Sequence, residues 1–97
     1  MATSESSGKL VYDATDQGKF ARDFKLRDQI RGAAGSEMHN CAEGFDAGFD
    51  NEFVAFLKYA RRSASEIQSQ IYLALDRKYV DESAFKQIYD KATEAKR

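Results

Sequence analysis

The chain has no proline and no tryptophan, and only one cysteine, one histidine and six glycines in 97 residues. Without proline, the strongest interrupter of helices is missing. With Cys41 alone, no disulfide can close within the chain, which fits a reducing compartment. An excess of charge of one sign is missing too. The net charge is −1 and the pI is near 5.8, which argues against a domain whose whole surface grips nucleic acid. No apolar run approaches the ~18–20 residues of a membrane-spanning helix, so no membrane partner is expected. The opening MATSESSGK carries no hydrophobic signal core. The expectation is a cytoplasmic protein with a disordered leader over 1–8 and one domain over 9–97.

What is present is helical periodicity. Lys9 to Asp16 predicts a short helix burying Leu10, Val11 and Ala14, with a break at Gly18. A second helix is predicted from about Asp23 to Glu43, because Leu26, Ile30, Ala33, Ala34, Met38 and Cys41 recur at steps of three and four. Gly44 is placed to stop it, and Gly32 and Gly35 would let another backbone approach closely. After the turn Phe45 to Phe49, Asp50 is placed to cap a third helix running to Lys78. Its stripe is Phe53, Phe56, Leu57, Ala60, Ala64, Ile67, Ile71, Ala74 and Leu75. Asp81 would cap a fourth helix that turns Phe85, Ile88, Tyr89 and Ala92 inward. The fold expected is all-α, an antiparallel up-and-down four-helix bundle with two long central helices and shorter outer ones. A chain this short buries a modest core alone, and the short outer helices leave apolar surface on the long pair, so oligomerisation is expected.

Beside each long stripe runs a polar row. At 3.6 residues per turn, Gln29, Ser36, Asn40 and Glu43 share one flank of the second helix. Tyr59, Ser63, Glu66 and Gln70 share a flank of the third. Such groups need hydrogen-bond partners once desolvated. Periodicity leaves two readings open: a half-exposed polar flank, or a seam between helices or subunits.

These residues also carry a family likeness. Gln29-Ile30-Arg31, Ser36, Asn40, Ala42-Glu43-Gly44-Phe45, Glu52-Phe53, Phe56-Leu57, Ala60, Ser63, Glu66, Gln70 and Ala74 occur in an order that resembles the four-helix-bundle proteins encoded in intervening sequences of bacterial large-subunit ribosomal RNA genes. The likeness covers Leu10 to Lys91 and is strongest from Asp28 to Tyr79. It implies a small antiparallel bundle assembling into a ring-like homopentamer, with no established catalytic activity. A related branch serves as the accessory protein of reverse transcriptases in diversity-generating retroelements. Members of that branch are basic, and this chain's acidic pI departs from them. The family pattern also has an arginine where Gly32 stands, a larger aliphatic at Gly35, an apolar-proline pair at Glu37-Met38 and an isoleucine at Cys41. Glu37 thus falls within an apolar stripe, which is costly unless it is paired or at the rim.

The remaining candidates favour bland readings. His39 and Cys41 are two apart on a helix and diverge, and no second pair completes a zinc site. Cys41 reads as a small core residue. Glu43, Asp46, Asp50 and Glu52 lack the ligand register of a calcium loop and read as capping and helix-terminus charges. No catalytic, cofactor-binding or metal residues are therefore assigned, and an enzyme is not expected. The bases divide into Arg27 and Arg31 on the outer side of the second helix, and Lys58, Arg61 and Arg62 on the outer side of the third. Repeated around a ring, they would form a surface for phosphates; taken singly, they are solvated helix faces. Two functions follow: a non-enzymatic homo-oligomeric module for assembly or interaction, and alternatively a nucleic-acid-binding accessory protein for a structured RNA, a DNA or a reverse transcriptase.

Overall fold

The computed structural model describes residues 6–47 and 51–96. Among them are five helices and no strand: α1 (Ser7–Thr15), α2 (Gly18–Arg22), α3 (Phe24–Ala47), α4 (Asn51–Asp76) and α5 (Glu82–Ala95). The first helix expected over Lys9 to Asp16 is α1, with the break before Gly18 as expected, and α2 is a further short helix that the sequence pattern does not indicate. Ser6 caps α1 by accepting from the Lys9 N–H at 3.1 Å, so α1 starts inside the stretch expected as leader. It ends at Asp16, and the chain restarts at Gly18 with φ +55, a conformation that favours glycine. The short α2 then drives Phe20 fully into the core, where its ring stacks on Tyr79 at 5.3 Å.

Asp23 joins this segment to the turn between α4 and α5. One carboxylate oxygen accepts from the Leu26 N–H at 3.1 Å, capping α3, and the other accepts from the Tyr79 hydroxyl at 2.8 Å. The helix-capping bond, followed by the Tyr79 bond, holds this carboxyl below its ordinary value of 3.8.

The two long helices form the spine. Ser36 meets Ser63, while Gly44 packs against Phe53, Phe56 and Leu57, so α3 and α4 run antiparallel. α4 has 26 residues, close to 39 Å at ~1.5 Å per residue, and the molecule measures 43 × 31 × 17 Å. α1 lies against α3, with Thr15 near Arg31 and Gly8 near Met38. α5 lies against α4 through the ring pairs Tyr72–Phe85 and Tyr72–Tyr89. The core gathers Val11, Phe20, Leu26, Ile30, Ala33, Ala34, Ala64, Ile67, Ile71, Ala74, Ile88 and Ala92.

α4 closes two residues before the expected Lys78. The Tyr79 N–H bonds the Ala74 carbonyl at 2.8 Å and the Lys78 N–H bonds Leu75 at 2.9 Å, a Schellman closure with Lys78 at φ 62. Asp81 caps α5 as expected, accepting from the Ala84 N–H at 2.8 Å. The expected cap at Asp50 lies outside the described residues.

Three expectations are corrected. Gly44 does not stop α3, which continues through it to Ala47, because Gly44 is buried against α4 and its neighbours stay helical. Gly32 and Gly35 face open space, not a second backbone of this chain. Met38 and Leu57 are exposed and Cys41 is only half-buried, although the start of α1 and the end of α5 reach the level of Met38 and Cys41. Glu37, by contrast, is buried.

The side chains of Ile67 and Ile71 are fully buried. Ile67→Ala or Ile71→Ala is expected to cost ~2–5 kcal/mol in urea denaturation, and a loss below half of that range's lower end would displace the core from this stripe. Asp23 gives a pH prediction. Its folded-state pKa is lowered, so its contribution is present above the unfolded value of 3.8 and is lost as pH falls through the folded value. Asp23→Asn should therefore flatten the acid limb of stability, read as helicity from about pH 5 to about pH 2.

Candidate functional site

The buried apolar cluster stops at Ala34 on α3 and at Ala64 on α4. Past these points the hairpin of α3 and α4 continues, with the start of α1 and the end of α5 reaching as far as Glu37, Met38 and Cys41. Phe45 is 86% exposed, Val54 50% and Leu57 38%, and Phe53 and Phe56 are half-buried between the two helices. Large apolar side chains are also exposed elsewhere, at Phe24, Tyr72 and Leu73.

Where the core ends, the polar rows meet. The Ser63 hydroxyl donates to Ser36 Oγ at 3.0 Å. Asn40 Nδ2 donates to the Ser36 carbonyl at 2.8 Å and to its hydroxyl at 3.3 Å. Ser36, Asn40 and Ser63 therefore form a bridge between α3 and α4 of one chain. Gln70 is half-buried, and its Oε1 is enclosed without a hydrogen-bond partner. Gln29, Tyr59 and Glu66 are exposed, and Glu43 is half-buried. The two rows are thus partly an internal seam and partly an open flank.

The bases separate more sharply. Arg27 and Arg31 do not stand on the outer side where periodicity placed them. Arg31 donates to Thr15 Oγ1 at 2.8 Å and to Asp16 at 2.7 Å, and its guanidinium lies 4.5 Å from the Tyr12 ring centroid. Arg27 bonds Asp28 at 2.9 Å and the Ala21 carbonyl at 3.2 Å, with its guanidinium over Phe24. α1 and α2 fold back onto this side of α3 and engage both side chains, which are half-buried. Lys58, Arg61 and Arg62 are exposed and make no ion pair among the described residues.

One site lay hidden in the sequence. Glu37 is 6% exposed, one oxygen accepts a long bond from Cys41 Sγ at 3.7 Å, and Oε1 is enclosed with no partner. It lines a cavity of about 410 Å³ with Met38, Cys41, Lys91 and Ala95, where the start of α1 and the end of α5 meet α3. Lys91 is turned to Glu94 at 3.4 Å rather than to Glu37. Burial, then the neighbouring Glu37 carboxylate, pushes the Cys41 thiol up. A raised thiol is a poor nucleophile. Among the described residues no group of three His, Cys, Asp or Glu side chains comes together to hold a metal ion. The out-of-place acid at Glu37 was the available signal, and its burial depended on α1 and α5 arriving beside it.

No helix among the described residues is long and apolar enough to cross a membrane. Comparison with curated proteins and with solved structures gives no match. A family model described as 23S rRNA-intervening sequence protein matches residues 2–97, nearly the whole chain. With the all-helical architecture, the paired long helices and the motif order along them, this match places the chain in the 23S rRNA-intervening sequence protein family.

Proposed function

We propose that this chain is a non-enzymatic, self-assembling helical module acting in the cytoplasm. In this reading α1 and α2 serve together as one arm of an up-and-down four-arm bundle, and copies associate through the hairpin end into a closed homo-oligomer. The observation that carries it is the row of Phe45, Val54 and Leu57 left exposed past the end of the core. Apolar burial is the main driving force of association. A pentamer is the subunit number that the family resemblance implies.

A second reading has its own observation. Lys58, Arg61 and Arg62 form a basic ridge without an ion pair among the described residues, and the family is named for its link to 23S rRNA. Repeated around an assembly, the ridge would contact phosphates of RNA or DNA, and binding would weaken steeply with salt.

Light scattering at micromolar concentration tests the first reading. The mass should be a multiple of 10.9 kDa. Leu57→Asp and Val54→Asp should each reduce it to the monomer while helicity is kept, because both positions are exposed in the single chain. A wild-type mass of 10.9 kDa would refute self-assembly. Titration with RNA at low and high salt tests the second reading, and no binding at low salt would remove it.

A further inference from the structure

We infer that the empty side of the Glu37 cavity is completed by a second copy of this chain, whose Arg61, with Lys58 beside it, enters to pair with the orphaned Glu37 carboxylate oxygen. This rests on the self-assembly reading and names the contact through which it works.

The first support is an imbalance. Glu37 Oε1 is enclosed without a partner, and a buried carboxylate lacking a bond is costly. Lys91, in the same cavity, is engaged with Glu94. From Gly32 to Ala47, α3 carries Glu37, Glu43 and Asp46 and no lysine or arginine. Across the hairpin, α4 carries Lys58, Arg61 and Arg62, exposed and without an ion pair among the described residues. One chain thus carries acids along this stretch of α3 and bases along the matching stretch of α4, with no ion pair between them among the described residues.

The second support is register. The Ser36–Ser63 bond and the packing of Gly44 on Phe53, Phe56 and Leu57 fix which residues of α3 and α4 stand at the same height. Glu37 is level with Arg61 and Arg62, Cys41 with Leu57 and Lys58, and Phe45 with Val54. A neighbour related by rotation about an axis parallel to the hairpin, with no rise, would set acid against base at one height and apolar against apolar at the other two. Val54, Leu57 and Arg61 follow one another at steps of three and four, so they share one face of α4. A contact between two different faces closes into a ring when the rotation closes and grows into a filament when it rises. Matched heights favour the ring.

The test uses the full-length chain and begins with changes compatible with the single-chain fold. Arg61→Gln removes an exposed charge, and Glu37→Gln keeps the shape of the buried group. Each should raise the concentration at which the assembly forms by at least about 30-fold, as for a desolvated charge pair losing one member. The double variant should be no weaker than either single, because the pair is already broken. Cys41 provides an independent readout, since its reaction with a thiol reagent should slow as wild-type protein assembles. A wild-type monomer would overturn both this contact and self-assembly. A wild-type oligomer with unprotected Cys41, unchanged mass in the singles, or additive losses in the double would overturn this contact alone. Loss of RNA binding in Arg61→Gln with unchanged mass would assign the ridge to nucleic acid and overturn the pairing.

Discussion

The close approach of α3 to α4 depends on small side chains along their shared face. Ala33 and Ala34 on one helix and Ala60, Ala64 and Ala74 on the other are all buried, and Ile30, Ile67 and Ile71 fill the space between them. Alanines let the two axes draw together, and the isoleucines supply the apolar area that a 97-residue chain must bury. Every other helix is placed by this pair. α1 and α2 lie on the α3 side, fastened by Arg31 and Asp23, and α5 lies on the α4 side.

Two treatments of buried polar groups coexist. Gln68 spans α4 and α5 with its amide satisfied: Nε2 donates to Thr93 Oγ1 at 2.8 Å and to the Tyr89 carbonyl at 3.3 Å, and Oε1 accepts from Lys96 at 3.0 Å. Such a network fixes the register of α5 on α4. Glu37 and Gln70 each keep an enclosed oxygen unbonded. The satisfied group lies within the covered part of the bundle, and Glu37 lies where that cover runs out.

Helix existence was legible in the sequence, because steps of three and four recur over long stretches and because Asp81 stands where a cap must. Ile67 and Ile71 were correctly read as core for the same reason. The stripe failed at Leu57, Met38 and Cys41. Periodicity states which side of a helix is apolar, not how completely a second helix covers it. Arg27 and Arg31 were misplaced for the related reason that α1 and α2 fold back over them, a tertiary event that no spacing within α3 reports. Of the polar rows, Ser36 and Ser63 bond across from α3 to α4, and Asn40 joins them through Ser36 on its own helix.

The distribution of tyrosines gives the molecule an optical address at each end. With tryptophan absent, near-ultraviolet absorption and emission come chiefly from five tyrosines. Tyr72 and Tyr89 are clustered with Phe85, Tyr79 donates to a carboxylate, and Tyr12 faces a guanidinium. Tyr59 alone stands on the exposed stretch of the hairpin. Removing that one phenol would silence the hairpin and leave a spectrum of the bundle, so folding and events at the free end can be followed as separate signals in one unlabelled sample.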